Sequence, residues 1–84
     1  MSIRVLFICH GNICRSTMAQ FVLQDLVNRA GYTDNFYIDS MATSTEEIGN
    51  GPHHGTVAKL RQVGVPVLEH YAKQVRKSDY RNFD

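Results

Sequence analysis

An 84-residue chain with 43% hydrophobic residues and a formal charge of +1 has room for a single domain. Its basic residues are scattered from Arg4 to Arg81 rather than clustered, which argues against nucleic-acid or membrane-surface partners. No apolar run approaches the roughly 18 residues a membrane span needs, and the short N-terminal apolar segment leads into Cys and His rather than a cleavage site, so a cytoplasmic protein is expected.

Ile3-Arg4-Val5-Leu6-Phe7-Ile8 is β-branched and aromatic and is stopped soon after by Gly11-Asn12, which predicts a strand buried on both faces of a parallel sheet. Cys9 to Cys14 then forms a tight loop. Met18, Phe21, Val22, Leu26 and Ala30 recur at helical spacing after Arg15 or Ser16, and Gly31 is a stop signal. Asn35 to Asp39 reads as a second strand, and Ser40 to Gly55 as a long polar loop. Thr56 to Val63 reads as a second helix ended by Gly64, and Val65-Pro66-Val67-Leu68 as a short third strand. Ser78 is placed to cap a last short helix holding Tyr80 and Phe83. Tyr32, Tyr37, Tyr71 and Tyr80 are assigned to packing. Strands alternating with helices predict an α/β fold: an open parallel sheet, Rossmann-like and three-layered, with helices on both faces. Ligands of such sheets sit at the carboxyl ends of the strands. The loop after Ile8 lies there.

That loop and its exit are Cys9-His10-Gly11-Asn12-Ile13-Cys14-Arg15-Ser16. Cys9 and Arg15 stand five residues apart, and a helix begins at once. A loop running into a helix N-terminus turns unpaired N–H groups inward and forms a nest for anions. Gly11 is suited to φ > 0, and Asn12 tolerates it better than most residues, so the chain can curl. Arg15 can clamp two oxygens of one phosphate with its planar fork. The positive field should depress the thiol pKa of Cys9, and the Ser16 hydroxyl can add a hydrogen bond to the sulfur. The thiolate would then attack phosphorus, giving a cysteinyl-phosphate that water hydrolyses, with Arg15 and the loop amides stabilising the equatorial oxygens. No metal or cofactor is needed. His53-His54 with Cys9 and Cys14 fits no standard zinc spacing.

On these residues the sequence resembles the low-molecular-weight protein tyrosine phosphatases, whose signature is a Cys, a five-residue gap and Arg-Ser between a strand and a helix. Cys9, Gly11, Asn12, Cys14, Arg15 and Ser16 match it. Asp39-Ser40, Ile48-Gly49, Val57 to Leu60, Gly64 and His70 to Val75 extend the likeness over essentially the whole chain. The resemblance implies a phosphatase acting on phosphotyrosine or a related monoester in a phosphorylated protein or small molecule, with phosphate or sulfate able to occupy the loop. It implies Cys9 as nucleophile, Arg15 as clamp and Ser16 as thiolate partner. Asn12 would hold the strained turn with Ser40 and His70 as supports, and Cys14 would be a redox partner of Cys9. Thr43 to His53 corresponds to the specificity loop, where Glu46 and Glu47 stand in place of an aromatic residue that stacks on substrate. Acidic groups there suggest a basic peptide or a phosphoarginine-like cation.

The family's general acid is an Asp followed by Pro, far downstream, and no Asp-Pro occurs among these residues. Residues 1–84 are therefore expected to be the N-terminal half of one phosphatase domain, truncated after the third strand. Such a chain would be weakly active or inactive alone, and would associate with its C-terminal half or with a second copy by exchange of elements. Two alternatives remain: an arsenate reductase on the same fold, and a non-catalytic oxyanion-binding fragment.

Overall fold

The computed structural model describes residues 2–84. Strand β1 (Ile3–Cys9) pairs in parallel with β2 (Phe36–Ala42), in a register that sets Ile3 beside Phe36 and Cys9 beside Ala42. Helix α1 (Arg15–Arg29) makes the crossover between them and packs on both strands. Helix α2 (His54–Gln62) follows and touches α1, and a 3-10 turn (Lys77–Arg81) lies near the chain's end. The core is Phe21 and Val27 of α1, Ile38, Met41 and Ala42 of β2, Leu60 of α2, and Ala72.

The expected α/β order of the first two strands and the first two helices is present, with some boundaries moved. Gly31 (φ 81°) and Gly64 (φ 78°) end α1 and α2 as expected, since the left-handed backbone lets the next N–H turn back onto the helix. Tyr32 N donates to Val27 O, and Val65 N to Leu60 O. β2 runs three residues beyond the expected Asp39, which carries Ser40 into the sheet. α2 starts at His54, not Thr56, because the His53 side chain caps it by accepting the Gly55 N–H at 3.1 Å.

Four expectations fail. Val65–Leu68 is not a strand: Pro66 offers no N–H for a ladder, and beyond its second helix the chain meets the sheet as an isolated parallel bridge of Gln74 with Ala42 and through Asp84, which bonds the Arg4 backbone. Ser78 does not cap the last turn. That turn is 3-10 rather than α, and Asp79 closes it by accepting the Arg76 N–H at 2.7 Å. β1 is not buried on both faces, since Ile3, Arg4 and Ile8 are exposed. The tyrosines are more than half exposed rather than packed, although the Tyr37 ring meets Phe83.

Candidate active site

The carboxyl end of β1 delivers Cys9, and the N-terminus of α1 supplies Arg15 and Ser16. Between them the chain wraps around the Cys9 sulfur. The Asn12 N–H points at Sγ from 3.3 Å, and Ser16 Oγ lies 3.0 Å from it. Burial raises the Cys9 pKa, but the Ser16 hydroxyl and the N–H groups of Ser16, Asn12 and Gly11 outweigh it, so the net shift is downward. Cys9 is half-buried and therefore reachable. Arg15 is exposed as the first residue of α1, and no hydrogen bond or ion pair holds its side chain among the described residues.

The curl of the loop comes from Asn12 alone, which sits at φ 57° with its side chain fully buried. Gly11 does not have the positive φ expected of it. Its lack of a side chain serves a close approach instead, since a Cβ there would meet Glu47 Cγ at 3.3 Å. Asn12 is satisfied on every side. Its Nδ2 donates to Ser16 Oγ at 2.7 Å and to Ser40 Oγ at 2.8 Å. Its Oδ1 accepts from His70 Nε2 at 2.9 Å and from the Lys73 N–H at 3.3 Å. The structure thus brings Ser40 and His70 to Asn12. Burial lowers the His70 pKa, the Asp39 carboxylate 3.8 Å from Nδ1 raises it, and Lys73 lowers it, with a downward balance.

The loop is also fastened from outside. The carbonyls of Cys9, His10 and Ile13 accept N–H groups from Thr43, Ser44 and His53 at 3.0, 3.1 and 2.7 Å. These bonds lay the segment 43–53 along the rim. Glu46 pairs there with His10 Nε2 at 3.1 Å, so His10 contributes a side chain as well as main chain. Glu47 Oε2 accepts from Asn50 at 2.7 Å. Cys14 caps the start of α1, exposed and unbonded to Cys9, and its carbonyl accepts the buried Thr17 hydroxyl at 3.0 Å.

Three residues of this network were not expected from the sequence. Gln20 accepts the Ser40 hydroxyl, Lys73 both reaches Asn12 and pairs with Asp39 at 2.6 Å, and Thr17 braces the helix start. Gln20 had a signal, as a polar residue one helical turn beyond Ser16 on the same buried face. Asp79 and Asp84 lie away from the loop, bonded to the Arg76 and Arg4 N–H groups.

A thiol lowered in pKa, with N–H groups and a hydroxyl turned toward it, stands at the carboxyl end of a parallel α/β sheet of Rossmann-like form, an arrangement in keeping with a phosphatase class. The family model described as low molecular weight phosphotyrosine protein phosphatase matches residues 4–84, and the chain belongs to that family. A mouse low molecular weight phosphotyrosine protein phosphatase is 45% identical over 80 residues, covering 95% of this chain and 50% of its own. Among solved structures, YfkJ from Bacillus subtilis is 40% identical with a TM-score of 0.96, covering 100% of this chain and 53% of that one. A Drosophila arginine phosphatase is 31% identical with a TM-score of 0.88, covering 100% and 51%. The chain spans about half the length of the relatives it matches.

Proposed function

We propose that this chain carries the nucleophilic half of a cysteine-dependent phosphatase acting on phosphotyrosine or a related monoester. The observation that carries the reading is the convergence of the Asn12 N–H and Ser16 Oγ on Cys9 Sγ, at the start of the helix whose first residue is Arg15. Cys9 attacks phosphorus in line, and the phosphoryl group passes to sulfur as the alcohol or phenol leaves. The loop amides hold the equatorial oxygens, and Arg15 clamps two of them. Water then attacks the cysteinyl-phosphate, and the thiolate leaves, still favoured by Ser16. Asn12, held by Ser40 and His70, keeps the cup in shape.

In this reading the chain supplies no general acid, since Glu46 pairs with His10, Glu47 with Asn50, and Asp79 and Asp84 lie away from the loop, which costs about 10²–10⁴ in rate on poor leaving groups. p-Nitrophenyl phosphate, whose leaving group needs little protonation, is the substrate of choice for the test. The chain is mixed with it, quenched in acid and mapped by mass spectrometry. A phosphoryl group on Cys9, absent from Cys9→Ser, is expected. Slow turnover with no label on Cys9 would overturn the mechanism. Binding of phosphate without turnover would leave the oxyanion-binding fragment as the reading. Arsenate consumption with thioredoxin by a full-length form would mark a reductase.

Cys14 belongs to the same proposal as the residue that captures an oxidised Cys9. The exposure of Ile3, Ile8, Val22 and Leu26 fits the association expected from the sequence, with a C-terminal half or with a second copy by exchange. A compact monomer at low concentration in sedimentation would count against it. A cytoplasmic location is also part of this reading. Among the described residues no helix is long and apolar enough to cross a membrane.

A further inference from the structure

The buried hydrogen bonds behind the loop have only one consistent direction. The Lys73 main-chain N–H can only donate, so the atom of Asn12 it meets is Oδ1, and Nδ2 must face Ser16 and Ser40. His70 Nε2, 2.9 Å from that same Oδ1, must carry a proton, and it also lies 3.2 Å from Ser40 Oγ. Ser40 Oγ therefore receives Asn12 Nδ2–H and faces the one Nε2–H of His70, which it shares with Asn12 Oδ1, so its own proton needs an acceptor elsewhere. Gln20 Oε1 is that acceptor. On the other branch, Ser16 Oγ receives Asn12 Nδ2–H, which leaves its own proton for Cys9 Sγ. Gln20 and the sulfur are the two ends of one directed network.

We propose that Gln20 is a positioning residue for the nucleophile: by taking the Ser40 proton it fixes the direction in which the Asn12 and Ser16 hydrogens point, and so aims the Ser16 hydroxyl at Cys9. Gln20 touches neither the sulfur nor the place of a bound phosphate, and it acts through Ser40, Asn12 and Ser16. Without its oxygen the Ser40 proton must turn toward Asn12 Nδ2 or His70 Nε2, both of which present hydrogens to Ser40. One of them then swings away, and Asn12 is the hinge of the loop. The inference rests on Cys9 being the nucleophile.

The test uses the full chain with Gln20→Met, which keeps the length of the side chain and removes the acceptor. The rate of iodoacetamide alkylation at Cys9, assigned by fragment mass spectrometry, is followed against pH. Gln20→Met is expected to raise the midpoint by about half a pH unit or more. Ser40→Ala, which removes the node, should raise it too, and the double variant should exceed neither by the sum of the two. Leu60→Ala, a core truncation away from the network, should lower the melting temperature and leave the midpoint in place. Unchanged midpoints in folded Gln20→Met and Ser40→Ala would overturn the proposal, as would a shift in Leu60→Ala of the same size. If Gln20→Met does not fold, Gln20→Leu, which also lacks the acceptor, is measured in its place. A wild-type midpoint at the ordinary thiol value would instead sink the reading of Cys9 itself.

Discussion

Lys73 donates its main-chain N–H to Asn12 Oδ1 at 3.3 Å, joining residues 61 positions apart in the chain. The pairing turns a locally strained residue into a globally held one. A buried Asn at φ 57° costs energy by itself, and it persists because Ser16, Ser40, His70 and Lys73 all depend on it.

Asn12→Ala should therefore destabilise the chain by about 3 kcal/mol, since it leaves several buried polar groups unpaired and keeps a side chain at positive φ. Asn12→Gly relieves the backbone and still loses the bonds, so it should recover only a minor part. Urea denaturation measures both. A loss under about 0.5 kcal/mol for either would show that the network is ornamental.

The pH dependence of stability follows from Cys9. Burial opposes ionisation of this thiol, yet the Ser16 hydroxyl and the surrounding N–H groups leave its folded pKa below the unfolded one. The stabilisation it provides is fully present above the unfolded thiol pKa of about 8.5, and it is lost as pH falls through the folded value. The stability difference between wild type and Cys9→Ser should therefore grow as pH is raised across that window. A difference that stays flat with pH would mean the sulfur is an ordinary thiol.

How much of this was readable in advance depended on range along the chain. β1, the loop and α1 were legible because strand pattern, Cys-to-Arg spacing and the Gly31 stop are all local. Ser40 and His70 entered only through a family likeness, since nothing in their own neighbourhoods points to Asn12. Val65–Leu68 misled because an apolar run shows that side chains can be buried, while Pro66 and the geometry of the crossover decide whether the backbone pairs. The reason for Gly11 was illegible for the same cause: it lies in Glu47, which only the fold brings near.

That contact gives a prediction of its own. Gly11→Ala places a Cβ 3.3 Å from Glu47 Cγ, and Glu47 is not free to retreat because Asn50 holds its carboxylate at 2.7 Å. The cost should be about 1 kcal/mol, mostly recovered in Gly11→Ala with Glu47→Ala. A double-mutant cycle by thermal melting reads the coupling, and strict additivity would mean the loop does not feel this neighbour.

The Cys14 proposal predicts an oxidation outcome. Peroxide converts the Cys9 thiolate to a sulfenic acid, the Cys14 thiolate attacks that sulfur, and hydroxide leaves as the disulfide forms. Intact mass should fall by the two hydrogens lost, and dithiothreitol should restore it. Cys14→Ser should instead carry Cys9 on to the sulfinic acid, which dithiothreitol does not reverse. Wild type that reaches the sulfinic acid as fast as Cys14→Ser would remove Cys14 from this role.

The rim of the site predicts a preference among ligands. Glu46 is exposed and pairs with His10, a residue of the Cys9–Ser16 loop, so a carboxylate stands at the rim of the proposed site. A phosphotyrosyl peptide with arginine beside the phosphorylated residue should bind Cys9→Ser more tightly than one with aspartate there. Exposure and salt screening limit the ratio to about two- to fivefold. Glu46→Lys should invert the order, and added salt should shrink the preference in both proteins. Equal dissociation constants for the two peptides at low salt would show that Glu46 is spent on His10 and reads no substrate charge.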